Sequence, residues 1–213
     1  YINTSGSNNT ASGFQALFSN TSTNNYNSAF GYNALYANGA AGAAGGEYNV
    51  AIGVQALELN TTGSFNTAVG ALALGANTTG NKNTAMGYQA LDATTTGTYN
   101  IALGYQAGHL LNSGSESFDI CIGNTGTAGM SNTIRIGDPN RQNRCHIAGI
   151  RGITTKVVDA INVLIDSNGQ LGTISSSRRF KEDIQNMSPA LVSSLRQLRP
   201  VAFNYIGDID KNM

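Results

Sequence analysis

The chain has 213 residues, 40% of them hydrophobic, yet only 11% are charged, with 12 bases balancing 12 acids. That is less than half the roughly 25% charge of ordinary domains, so Asn, Thr, Ser and Gly must clothe the surface. No Lys/Arg stripe with interleaved aromatics argues for nucleic acid, and no apolar run approaches the ~18 residues of a membrane span. The chain opens on Tyr1, without a signal-peptide pattern, and is expected to be a piece of a longer protein. Residues 1 to 130 hold five acids (Glu47, Glu58, Asp92, Glu116, Asp119) and one base, Lys82, leaving seven acids and eleven bases for the remainder.

The dominant feature is an internal repeat. "NNTASGFQAL" (Asn8 to Leu17), "YNSAFGYNAL", "YNVAIGVQAL", "FNTAVGALAL", "KNTAMGYQAL" and "YNIALGYQAG" align on Gly13, Gly31, Gly53, Gly70, Gly87 and Gly104, spaced 18, 22, 17, 17 and 17 residues apart. "DICIG" and "TIRIG" continue the pattern to Gly123 and Gly137, 19 and then 14 residues later. A period this short means stacked coils rather than separate domains. The long step carries its extra length in "NGAAGAAGGE", Asn38 to Glu47, a loop extruded from one coil.

Within "NTAVG" the residues alternate, with Thr and Val on one side and Asn, Ala and Gly on the other, which predicts a short strand. "GYQAL" predicts one helical turn, and "NTTG" (Asn60 to Gly63, Asn77 to Gly80) a turn. Strands stacked in register would place Asn49, Asn66, Asn83 and Asn100 ~4.8 Å apart, predicting a structural ladder of side-chain amides. A column of sugar-binding amides is the functional alternative. Both strand faces are small or apolar, so one can fill the coil and the other needs a cover. A coil of this size is too thin to bury a core alone, and threefold association would supply the cover.

These rungs resemble the "NSVAIG" repeats of trimeric autotransporter heads and, more closely, the "NTAxGYQAL…NTTG" arrays of phage tail fibres and related bacterial fibre proteins. The resemblance covers Asn8 to Gly137. It implies a mainly β fold, a β-roll or solenoid of about 17-residue rungs in an intertwined homotrimeric fibre.

Cys121 and Cys145 lack metal-site spacing and are expected to be small buried apolar residues. His109 and His146 stand apart from any ligand cluster, so neither a metal nor a cofactor is expected. From Thr154 to Ile174 the sequence reads as strand, a turn at Asp166 to Gly169, and strand, making residues 138 to 175 a β-hairpin connector. Farther on, Ser188 and Pro189 are a helix N-cap and first-turn pair, Ala190, Leu191, Leu195 and Leu198 form its apolar stripe, and Pro200 ends it.

"SSSRRFKEDI" (Ser175 to Ile184) and the later "LRPVAFNY" resemble the start of the peptidase S74 domain, the intramolecular chaperone of endosialidases, phage tail spikes and neck appendages, and myelin regulatory factors. Ser176, Arg179, Phe180, Lys181, Asp183 and Ile184 fall on the family pattern, with Ser177 where Asp is usual. The resemblance implies that residues 176 to 213 are the N-terminal part of a small α+β chaperone domain. It also implies self-cleavage between Ser175 and Ser176, with Ser176 as nucleophile and Lys181 as base. Arg178 and Arg179 would supply the positive charge that lowers a lysine pKa. Such a dyad would be at most a single-turnover serine autoprotease.

The expected function is therefore a structural and adhesive segment of a virion tail fibre or extracellular appendage, residues 1 to 137 forming its repeat. Its expected partners are two further copies in a homotrimer, other tail or baseplate proteins and a host cell-surface receptor, a glycan by expectation. A polysaccharide depolymerase would need paired carboxylates ~5 to 9.5 Å apart, whereas the repeat's acids lie on different rungs. A bacterial surface adhesin or ice-binding solenoid without proteolysis is the alternative, the Thr pairs of "NTTG" offering a candidate array.

Overall fold

A computed structural model describes residues 6–20, 24–39, 44–147, 163–165 and 171–173. The chain divides into two compact units, Tyr1–His146 and Ile147–Met213. In the first unit, β1 (Thr10–Ser12), β2 (Ser28–Phe30), β3 (Val50–Ile52), β4 (Thr67–Val69), β5 (Thr84–Met86), β6 (Ile101–Leu103), β7 (Ile120–Ile122) and β8 (Ile134–Ile136) make one 8-stranded sheet in chain order. Every pairing is parallel. The expected mainly β solenoid is thus the architecture of the repeat. In the second unit, β9 (Val163–Ile165) and β10 (Leu171–Thr173) pair antiparallel as a hairpin.

The register places like residues on like. Ala51 pairs with Ala68, Ala68 with Ala85, and Ala85 with Ala102, each pointing inward and fully buried. Each regular coil adds a second inward alanine and a leucine: Ala56 and Leu57, Ala73 and Leu74, Ala90 and Leu91. Three apolar side chains per coil make a thin core, and stacking makes it continuous.

The sixth coil keeps this core by an exchange. Gly108 stands where the leucine belongs, and Leu111, three residues later, is fully buried instead. A Cβ on Gly108 would approach Leu91 Cδ2 to 2.7 Å and Leu111 Cδ1 to 3.5 Å. Leu111 therefore fills the space that Gly108 leaves open.

The predicted helical turn does not form, and no helix occurs among the described residues. In "GYQAL" the backbone is left-handed at Gln89 (φ 53) and Leu91 (φ 52), and the same positions are left-handed at Gln55, Leu57, Leu72 and Leu74. An α-helix needs negative φ throughout and would bond the Leu91 amide to Gly87. Here the Leu91 N–H donates to the Ala107 carbonyl of the next coil (3.0 Å), and the Gln89 N–H donates to Ala71 of the previous one (3.0 Å). Bonds between coils replace bonds along a helix, and they hold bulky residues in a conformation that costs them energy in isolation.

The motif glycines answer a closer constraint. Gly53, Gly70 and Gly87 have φ between 132° and 139°. A Cβ on Gly53 or Gly70 would lie 2.5 Å from the carbonyl oxygen of the next motif glycine. Backbone lies on backbone along this column, so a side chain has no room.

Candidate functional surface

The column through Asn49, Asn66, Asn83 and Asn100 is fully buried. Each Oδ1 accepts the amide N–H of its successor, at 2.9 Å for Asn49 to Asn66, 3.0 Å for Asn66 to Asn83 and 2.9 Å for Asn83 to Asn100. Each Nδ2 donates to a carbonyl of the coil ahead: Asn49 to Gly63, Asn66 to Gly80 and Asn83 to Gly97, all at 2.8 Å. The amides therefore stack as expected but bond to backbone rather than to one another. Side chains this enclosed cannot meet a sugar, which removes the glycan-binding alternative for the column.

A second asparagine column is the true amide ladder. Asn60 Nδ2 donates to Asn38 Oδ1 and Asn77 Nδ2 to Asn60 Oδ1, both at 2.8 Å, and Asn38 Nδ2 donates to Asn20 Oδ1 at 3.3 Å. All four are fully buried. "NTTG" is thus both turn and core, and the signal for it was the recurrence of Asn seven residues after Gly13, Gly31, Gly53 and Gly70. Thr94 and Leu111 take this place in the next two coils, and Asn77 Oδ1 is left without a partner where the ladder ends.

The first threonine of each pair beside this ladder bonds the next coil. Thr61, Thr78 and Thr95 donate their hydroxyls to the carbonyls of Thr78, Thr95 and Gly114 at 2.9 to 3.1 Å. The first hydroxyl of each pair is therefore committed to the next coil.

The outer strand face is different. Four columns run along it: one that is aromatic five residues before Gly31, Gly53, Gly70, Gly104 and Gly123, two from the strands, of which one carries Ser or Thr in β2, β4 and β5, and one just after the glycine. Phe30, Ile52, Met86, Leu103 and Ile122 form one strand column, all exposed. Tyr26, Tyr48 and Phe65 stack at 4.9 and 5.0 Å, and Tyr99 stacks on Phe118 at 4.9 Å. Tyr88 lies on Tyr105 and Phe14 on Tyr32, both at 5.5 Å. Stacked rings cover one another's faces and present edges outward, so they make an apolar ridge rather than platforms for sugar rings. Lys82 interrupts the first stack, its Nζ 4.7 Å from the Tyr99 ring centre and 2.6 Å from the Tyr99 hydroxyl.

Among the described residues the acidic side chains are engaged singly. Asp92 pairs with His109 Nδ1 (2.7 Å), Glu58 accepts from Asn33 (2.8 Å) and Gln55 (2.7 Å), and Glu47 accepts from Asn25 (3.2 Å). Glu116 and Asp119 share the seventh coil, against the expectation that the repeat's acids lie on different rungs, and both are buried. Among the described residues no cluster of three metal-binding side chains occurs, and no helix is long and apolar enough to cross a membrane. A hollow of about 290 Å³ beside the first coil is lined by Gly13, Phe14, Gln15, Ala16 and Phe18, without a charged or nucleophilic group.

Cys121 is buried in the alanine column, but Cys145 is exposed, against the expectation of two buried thiols. Cys145 lies beyond β8, where no further described coil covers it. Ser175, Ser176, Arg179, Lys181 and Asp183 lie outside the described residues, as does the predicted helix from Ser188. No family model, curated protein or solved structure matches the chain.

Proposed function

We propose that this chain is the repeat shaft of a homotrimeric fibre, a virion tail fibre or comparable extracellular appendage that carries host attachment. The observation that carries this reading is the uncovered apolar face of the sheet. Of the large hydrophobic side chains, Ile134 and Ile136 at its C-terminal end are 66% and 71% exposed. Eight strands ~4.8 Å apart, four outward columns wide, give a face of roughly 34 by 20 Å. That is on the order of 700 Å², close to the roughly 800 Å² per partner of a stable interface.

Periodicity supports a second copy as the cover. A face ridged once per coil is matched along its whole length by another face ridged at the same interval. Two neighbours around a threefold axis would give every subunit the same environment. Other tail or baseplate proteins would hold such a fibre, and a glycan receptor would be met outside the buried columns. From the tail, the peptidase S74 resemblance supplies the proposal that a C-terminal chaperone sets the register and is released by Ser176 and Lys181 at the Ser175–Ser176 bond.

Native and intact mass of the protein test both parts. The reading predicts a trimer whose subunits end at Ser175, and full-length subunits for Ser176→Ala and Lys181→Ala. A monomeric protein would remove the fibre reading. A trimer left uncut in the wild type would retain the fibre and remove the protease.

A further inference from the structure

The seventh coil breaks the column rule at two enclosed positions. Asp119 stands where Asn66, Asn83 and Asn100 stand in earlier coils, and Glu116 stands where Gly63, Gly80 and Gly97 do. Asp119 is 0% exposed and Glu116 2%. Asp119 keeps half of the asparagine pattern: its N–H donates to Asn100 Oδ1 (3.0 Å) and its Oδ1 accepts from the Thr133 N–H (3.0 Å). Its Oδ2 replaces a donor, and it is buried without a partner. Glu116 Oε1 accepts the amides of Ser113 (2.9 Å) and Gly129 (3.0 Å), while its Oε2 is also buried without a partner.

Neither carboxyl belongs to an ion pair among the described residues. Arg135, on the next strand, is exposed and directs its Nε at Met130 Sδ (3.1 Å). Cys121 is buried beside them, its thiol pushed up to about 11 by burial and then by the Asp119 charge, so it stays neutral. Two carboxylates enclosed together without a cation are costly when both are ionised.

We propose that Asp119 is a protonation-dependent link in the asparagine column. Neutral, its carboxyl presents an O–H where the asparagines present Nδ2–H, removes one charge from the enclosed pair, and leaves the bond from the Thr133 N–H of the eighth coil in place. Ionised, it leaves two orphaned carboxylate oxygens within one coil, and that junction loosens. The end of the repeat thereby becomes acid-tightened, while the asparagine coils before it are indifferent to pH at this position.

The two acids divide the proton unequally. Burial raises the Asp119 carboxyl above its usual 3.8, the Thr133 amide draws it back and the Glu116 charge raises it further. Burial also acts to raise Glu116, but hydrogen bonds from the Ser113 side chain and from the Gly129 and Ser113 amides outweigh it and hold that group at about 2. Between 3.8 and its raised value, native Asp119 binds more proton than the unfolded chain, so its contribution to stability falls as pH rises. For Glu116 the sign is opposite: its contribution is present above 4.5 and is lost as pH falls toward 2.

A carboxyl-carbon NMR titration of the full chain, assigned with Asp119→Asn, tests the proposal beside amide-exchange protection at Ile120. Asp119 is expected to titrate above the ordinary aspartate range. Protection at Ile120, whose N–H donates to the Thr133 carbonyl of the eighth coil (2.9 Å), should fall across the same interval, by up to about tenfold for each unit of elevation, and Asp119→Asn should abolish that fall. Glu116→Gln should lower the Asp119 midpoint. An ordinary Asp119 midpoint, or an Asp119→Asn protein that keeps the wild-type pH dependence at Ile120, would overturn the proposal. So would calcium that removes the pH dependence in the wild type, because the oxygens would then be metal ligands.

Discussion

The coils from Gly53 to Gly104 and those that end at Gly123 and Gly137 use one strand pattern under different rules. In the first group the spacing is constant at 17 residues, and each asparagine of the column through Asn49, Asn66, Asn83 and Asn100 bonds an identical neighbour. In the second group the spacing becomes 19 and then 14, Asp119 replaces Asn, Cys121 and Arg135 replace the inward Ala, and β8 is exposed at every residue. Stability in a stacked coil is a property of the neighbour as much as of the coil. Where the neighbour changes, compensation has to be local, as with Leu111 for the missing leucine side chain of the sixth coil and the Ser113 and Gly129 amides around Glu116.

The sharpest way to break this contrast is to make the same kind of change in both groups. Asn66→Ala would strand the Asn83 N–H, at about 1–3 kcal/mol, and leave the Gly80 carbonyl with Asn77 Nδ2 as its one donor, at about 0.5–1.5 kcal/mol, so a loss of roughly 2–4 kcal/mol is expected in chemical denaturation. Asp119→Asn, in the same column, should instead stabilise the protein at neutral pH. If both lowered stability, the second group would not be the exception described.

Glycine gives a smaller contrast. Gly70→Ala must place a Cβ 2.5 Å from the Gly87 oxygen at a φ of 132°, and about 2–5 kcal/mol of destabilisation should follow. At Gly104 the nearest backbone atom to an added Cβ is 3.5 Å away, because the seventh coil has shifted, so Gly104→Ala should cost only its strained φ, about 1–3 kcal/mol. Thermal melts of the two variants measure the difference. The smallest expected effect is on the outer ridge, where Lys82→Tyr would join the stack of Tyr26, Tyr48 and Phe65 to that of Tyr99 and Phe118. Its stability should rise by about 1 kcal/mol, the scale of one or two added ring pairs less the lost cation–ring contact.

What the sequence revealed follows from how local each cause is. The strands, the inward Asn, Ala and Gly, and the outward apolar columns were legible in "NTAVG" because alternation is a property of the strand itself. The left-handed backbone at Gln89 and Leu91 was not, since Tyr-Gln-Ala-Leu has helical propensity and only the carbonyls of Ala71 and Ala107 in adjacent coils turn it aside. Asn60 and Asn77 read as turn residues for a related reason. Their role exists only when another Asn lies in the coil below.

The same dependence on neighbours extends to the outer face, and the claim that copies of this chain cover it is tested most directly by crosslinking. In a Cys145→Ser background, where the remaining Cys121 is buried, Leu103→Cys sits on the exposed apolar column and Ala93→Cys lies beyond the core leucine of the fifth coil. With a short bis-maleimide, the account predicts covalent linkage between subunits through Cys at 103 and not through Cys at 93. No linkage at 103, or equal linkage at both positions, would contradict it.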